Sequence, residues 1–241
     1  MTTVLALWRY PVKSMQGESV AEAAIEVGGI VGDREWALVD QQTGLGLTAR
    51  REPRLLFAQA ATVADDVVIT LPDGVETTDA AVLSRWLDRE VALVRAAPET
   101  VGTFEIGLAE GDDADSDPSV EWFQWQGPRG RFHDSTRTQV SIIGTETVGP
   151  WDMRRFRPNV VVGGTGEDDW VGHEITLGAV RLDVVKQIDR CVITTREQPD
   201  GIARDVDVLR TINRERSGNL GIGTLVLTPG TVRVGDPITS A

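Results

Sequence analysis

Three residue types are scarce in this 241-residue chain. It has one cysteine, Cys191, two histidines, His133 and His173, and two lysines, Lys13 and Lys186. A single cysteine excludes an internal disulfide framework, a four-cysteine zinc site and an iron–sulfur cluster held within the chain. Two histidines argue against a histidine-rich metal centre. Two lysines leave few candidates for a Schiff base. Long apolar runs are also missing. No segment reaches the roughly 18 apolar residues that span a bilayer. The opening stretch MTTVLALWRYPVK has neither the charged start nor the apolar run of a signal peptide. A soluble, reducing, cytoplasmic setting is the default expectation. Basic charge is outnumbered as well, 24 Lys and Arg against 37 Asp and Glu, for a net charge of −13. Such a balance repels a nucleic-acid backbone at long range.

What is present is apolar material in short pieces. At 41% hydrophobic residues the chain builds a core, and its length suits one large domain or two ordinary ones. In the first half, Val4–Tyr10, Ser19–Val27, Arg34–Asp40, Val67–Leu71 and Val91–Arg95 read as strands, with Arg34–Asp40 a hairpin partner for the strand before it. Thr78 and Asp79 cap a helix over Ala80–Arg89, whose Leu83, Trp86 and Leu87 share one face. Ala97–Ser119 changes texture. It carries Pro98, Gly102, Gly107 and the acidic run 111–118, and reads as an exposed loop; the run lacks the spacing of a calcium-binding EF-hand. In the second half, Val140–Ile143, Asn159–Val162, Val180–Lys186, Cys191–Thr195, Thr224–Leu227 and Thr231–Val234 are short and β-branched. The turn at Thr228–Thr231 predicts a C-terminal hairpin from the last two. Asp207–Arg216 reads as a helix with an acidic start and a basic end. The fold class expected is mainly β, of β-barrel type, with a few helices and two associated β-rich domains.

Four places carry candidate chemistry. Cys191 lies in IDRCVITTREQPDG, with Asp189 and Arg190 before it and Thr194, Thr195 and Arg196 after. A lone cysteine is most often a small buried hydrophobe, but positive charge nearby suits a reactive or metal-binding thiolate. Lys13 and Ser14 follow Pro11 in a short loop able to contact an anion. Arg34 follows a Gly32-Asp33 turn. Arg154, Arg155 and Arg157 precede Pro158 and Asn159, either a solvated face or a local positive island. Of the 24 basic residues, 22 are arginine, whose planar forks grip carboxylate or phosphate at two points.

Together these pieces match a family pattern. Tyr-Pro-Val-Lys-Ser stands at 10–14, Gly-Asp-Arg-x-Trp at 32–36, and Thr48-Ala49-Arg50 precedes Pro53. Arg-Phe-Arg-Pro-Asn follows at 155–159, Arg-Cys-x-x-Thr-Thr at 190–195, Leu-Arg-Thr at 209–211, and Pro-Gly-Thr-Val-Arg-Val-Gly-Asp-Pro at 229–237. Seven short motifs in one order resemble the MOSC-domain proteins and, in the first half, the N-terminal β-barrel domain that accompanies MOSC in amidoxime-reducing proteins. The resemblance implies an N-terminal β-barrel domain over 1–97, an acidic linker over 98–119 and a MOSC domain over 120–241. It implies a molybdenum cofactor of the molybdopterin type, with Cys191 as metal ligand and catalytic centre. Lys13, Ser14, Arg34, Arg157, Asn159, Arg190, Thr194 and Thr195 would bind the cofactor. The activity implied is reduction of N-hydroxylated or N-oxide small molecules, with electrons from a separate ferredoxin, cytochrome or flavoprotein. The alternatives are a sulfur carrier or sulfurtransferase holding a persulfide on Cys191, and a carrier of the cofactor without turnover. No nucleic acid and no membrane span are expected. Where the family often has a polar or basic stretch, this chain has Glu146, whose charge would repel a phosphate.

Overall fold

The computed structural model describes residues 2–108 and 121–240. The acidic run 111–118, read above as a solvated loop, lies outside them. Short alternating segments fold as strands because one side of each finds a core. In Glu22–Glu26, Ala23 and Ile25 face inward while both glutamates face out. Val140–Gly144 and Val160–Val162 are buried along their whole length. They form the parallel pair at the centre of the largest sheet, where both faces are covered.

That sheet has eight strands. From one edge they run Ile238–Ser240, Glu174–Leu177, Val180–Asp189, Asn219–Thr228, Val140–Gly144, Val160–Val162, Val4–Arg9 and Glu18–Val20. One face packs Leu7, Ile142, Val160, Leu182 and Ile222 into the main core. The opposite face carries Ile143, Phe156, Val161 and Leu220 against Val208 and Ile212 of the helix Asp207–Arg216. Strand pairing crosses the halves of the sequence. Val4–Arg9 pairs with Val160–Val162, and Glu22–Glu26 pairs with Gly230–Arg233. Around a separate core of Val12, Met15, Leu38, Leu55, Ile69 and Leu83 stand smaller sheets. They comprise Trp36–Asp40 with Val91–Arg95, and Gln59–Val63, Asp66–Thr70 and Glu76–Thr77. The helix Ala80–Leu87 closes this core, its first turn capped by Asp79, which accepts from the Ala81 N–H at 2.8 Å.

The chain is thus mainly β, as expected, and four local readings change. Ser19–Val27 is two strands, broken at Ala21. Trp36–Asp40 pairs with Val91–Arg95 rather than with the strand before it. The predicted C-terminal hairpin does not form, since Gly230–Arg233 leaves its neighbour to bury Val232 beside Ala23 and Ile25. Register follows burial rather than sequence proximity. Val101–Leu108, read as loop, is a strand paired with Glu121–Arg129. Its Gly102 is not a turn glycine. A side chain there would meet the Phe104 ring at 2.5 Å and the Phe132 ring at 2.8 Å.

Candidate functional site

Segments from both halves converge on one cavity of about 380 Å³. Lys13, Ser14, Arg34, Arg157, Asn159, Arg190, Cys191 and Thr194 all line it. These residues are up to 181 positions apart in sequence, and the large sheet brings the segments after Arg9, before Val160 and after Asp189 together. Cys191 stands just past the strand Val180–Asp189 and is half-buried. The segment after it was read as a strand; Val192–Thr195 is instead one tight helical turn. The hydroxyls explain this. Thr194 donates to the Cys191 carbonyl at 2.9 Å and Thr195 to the Val192 carbonyl at 2.8 Å, which satisfies locally what a sheet would otherwise take. Thr195 is 1% exposed and does not line the cavity. The buried Arg155 then pins the turn, donating to the carbonyls of Thr194, Arg196 and Ala203 at 3.1, 3.1 and 2.6 Å.

The cavity is strongly basic although the chain is acidic. Seven cationic side chains line it, Lys13, Arg34, Arg50, Arg155, Arg157, Lys186 and Arg190, against Asp134 and Asp189. Arg50 lies against the thiol of Cys191, whose sulfur is the foremost reason its guanidinium is held above its ordinary range. Arg34 and Arg157 share the ring of Tyr10, the chain's one tyrosine, at 4.9 and 4.4 Å from its centroid. The Tyr10 hydroxyl donates to the Pro158 carbonyl at 3.2 Å, and burial pushes its pKa up. Arg157 is pushed down to about 10 by burial and then by Arg34, a mark of cations crowded together out of water. Arg34 is anchored from behind by Asp33, which also accepts from the Tyr10 N–H at 2.8 Å. Burial is the largest influence on the Asp33 carboxyl and works to raise it, but Arg34, His133 and the Tyr10 N–H together outweigh it and the net direction is down. Lys13 is lowered by burial, partly offset by Asp134 at 2.7 Å. The Asp134 side chain keeps 63% of its surface open, onto the cavity that it lines. Ser14, Arg34 and Arg157 hold φ values of 68, 52 and 50°, in the left-handed region that non-glycine residues enter at a cost. Three of the seven described non-glycine residues in that region therefore line the cavity.

Other side chains are already committed. Arg190 donates to Leu220 O at 2.8 Å and Phe156 O at 3.0 Å, so it fixes the cavity wall. Asn159 accepts from the Ser141 hydroxyl at 3.0 Å and donates to Trp8 O at 3.3 Å, tying adjacent strands. Glu146 is exposed in the short helix Thr145–Val148 and does not line the cavity, so its charge stays off the site. Sequence reading missed Tyr10, Arg50, Asp134 and Arg155 as site residues. Tyr10, Arg50 and Arg155 had left a signal, as members of the motifs at 10–14, 48–50 and 155–159, and Asp134 had left none. A wider groove of about 750 Å³ lies elsewhere, between Asp40, Arg51, Arg89 and Glu105, where Arg89 pairs with Asp40 and Arg51 with Glu105. Among the described residues no three His, Cys, Asp or Glu gather into a metal-binding group, so a metal here would depend on Cys191 and on ligands brought by a cofactor.

Residues 1–116 match the MOSC N-terminal beta barrel domain, and residues 130–239 match the MOSC domain. The chain belongs to the MOSC family. This MOSC protein is 25% identical to mitochondrial amidoxime-reducing component 1 of Homo sapiens, over 98% of its own length and 82% of the relative. It is 26% identical to mitochondrial amidoxime reducing component 2 of Homo sapiens, over the same shares. Molybdenum cofactor sulfurase of Danio rerio is 24% identical over 92% of this chain, which covers only 31% of that larger protein. No helix among the described residues of the MOSC protein is long and apolar enough to cross a membrane.

Proposed function

We propose that this MOSC protein binds a molybdenum cofactor of the molybdopterin type and reduces N-hydroxylated or N-oxide compounds. The observation that carries this reading is the meeting of the chain's one cysteine with seven cations in a single cavity. The donor set suits the group. A thiolate is a fitting protein ligand for a high-valent metal, and an anionic phosphate tail calls for charge-assisted donors screened from water. The volume lies within the range of cofactor pockets.

Cys191 would ligate the metal. Lys13, Arg34, Arg50 and Arg157 would take the anionic parts of the cofactor, with Ser14, Asn159 and Thr194 beside them. Arg190 and Arg155 would hold the walls, and Thr195 would keep the Cys191 turn in shape. When bound, the cofactor supplies two-electron chemistry at an oxygen atom. The substrate's N–O bond would break with two electrons and two protons consumed, releasing water and either an N–H compound from an N-hydroxylated substrate or the parent amine from an N-oxide. One cysteine cannot hold an iron–sulfur cluster, and a separate redox protein would supply the electrons.

The test is metal and pterin content after expression in a molybdenum-replete host. Wild type should carry both in near-equal amounts, and Cys191→Ala should lose most of its molybdenum. Molybdenum absent from wild type, or equal in both proteins, overturns the ligand assignment. Reduction of an amidoxime with an artificial electron donor then separates an enzyme from a carrier. A persulfide on Cys191 without molybdenum would point to sulfur transfer.

A further inference from the structure

The hairpin of Val101–Leu108 and Glu121–Arg129 pairs with no other strand of the described structure. Its register sorts its side chains. Phe104 pairs with Trp125 and Ile106 with Phe123, so these four share one face. Thr103, Glu105, Gln124 and Gln126 take the other. The apolar face is covered unevenly. Phe104 is 1% exposed, packed edge-on to Phe132 and 4.1 Å from the Lys13 ammonium. Trp125 and Ile106 are half-buried and line the Cys191 cavity. Phe123 is 46% exposed beyond them. An apolar face that starts in the core therefore runs past the cavity and ends uncovered. From behind, Arg51 pins the hairpin, with its Nε 3.0 Å from Glu105 and its guanidinium 4.0 Å from the Trp122 ring centroid. Ile188 and Ile193, three residues before Cys191 and two after, add apolar surface on the cysteine side.

We propose that Trp125 and Ile106, on the apolar face of this hairpin, form the wall that receives the body of the substrate, and that they select N-hydroxylated compounds carrying a flat, apolar group such as an aryl ring. This rests on reading the Cys191 cavity as the reaction site. The basic residues of the cavity would engage an anionic cofactor. The apolar residues are what remains for the substrate, and the N–OH end is the part that must face the metal. An indole offers a ring the dispersion and offset-stacking contact that a methyl group cannot match.

The experiment compares benzamidoxime with acetamidoxime on cofactor-loaded protein with an artificial electron donor. For Trp125→Ala the ratio of kcat/KM, aromatic over methyl, should fall about three- to tenfold. The loss should sit in KM for benzamidoxime. Trp125→Phe should recover most of the ratio, and Ile106→Ala should move it the same way by less. An unchanged ratio, or an equal loss for both substrates, overturns the wall. A change confined to the rate with a protein electron donor also overturns it, because the hairpin would then be a docking surface. Benzamidine binding, followed by calorimetry on the same proteins, reads the wall without turnover. Benzamidine bound by wild type and weakened by Trp125→Ala, with neither amidoxime reduced, would retain the wall and discard the proposed reaction. Amidoxime reduction with no change in ratio would do the reverse. Neither turnover nor binding in wild type overturns both.

Discussion

His133 shows how a single residue can tune this molecule. It is 5% exposed, its Nε2 has no hydrogen-bond partner, and its pKa is pushed down to about 3 by burial and then by Arg34. The folded protein therefore holds it neutral, while the unfolded chain protonates it near 6.5. The sign follows directly. Its contribution is fully present above pH 6.5, and stability is lost as pH falls from there toward 3, where the folded state also takes the proton. Between pH 6.5 and 5 the loss is on the order of 2 kcal/mol. Urea unfolding at the two pH values should show wild type losing more stability than His133→Gln, which has no proton to take. Equal losses would mean that other groups govern acid lability.

At the scale of elements, the turn that carries Cys191 is held from outside. Arg155 gives three hydrogen bonds to carbonyls across residues 194–203 and is 7% exposed. Arg155→Ala leaves these acceptors without their donor and should cost about 2 kcal/mol or more in stability. It should also free the turn, so that iodoacetamide alkylates Cys191 of the cofactor-free protein several-fold faster than in wild type. Arg155→Lys should recover only part of both effects, because an ammonium cannot reproduce the planar fork. Unchanged alkylation with lowered stability would assign Arg155 to folding alone. In sequence Arg155 sits in an arginine island that reads equally as a solvated face. Its destination, three carbonyls some 40 residues further on, is not a property of local sequence.

For the whole molecule, the division at residues 97–120 is not a division of the sheet. Val4–Arg9 covers Val160–Val162, and Glu22–Glu26 covers Gly230–Arg233. Residues 121–241 made alone would leave those apolar strands with unpaired edges and an open core. The fragment should be insoluble or lack cooperative unfolding, and co-expression with residues 1–108 should restore a soluble complex. A fragment that unfolds cooperatively by itself would show that the crossing strands are dispensable. The overall charge of −13 acts at this scale too, disfavouring polyanions at long range. It does not govern the cavity, where near neighbours set the potential.

Periodicity and punctuation alone determined much of this protein. The helices Ala80–Leu87 and Asp207–Arg216 and the strands Val91–Arg95 and Val140–Gly144 were legible, because their patterns are local and agree with the core that they meet. The ordered motifs around Lys13, Arg34, Arg157 and Cys191 were legible as well. Tertiary structure decided the rest. It took Gly230–Arg233 to a distant partner, turned Cys191–Thr195 into a helical turn, and made a strand of glycine-interrupted Val101–Leu108. It kept Glu146 and Thr195 off the cavity, brought in Arg50 and Asp134, and set the Tyr10 ring beneath Arg34 and Arg157. The physical reason is the same in each case. Burial and pairing are settled between segments far apart in sequence, and a composition bias or a lone charge says nothing of what it will face.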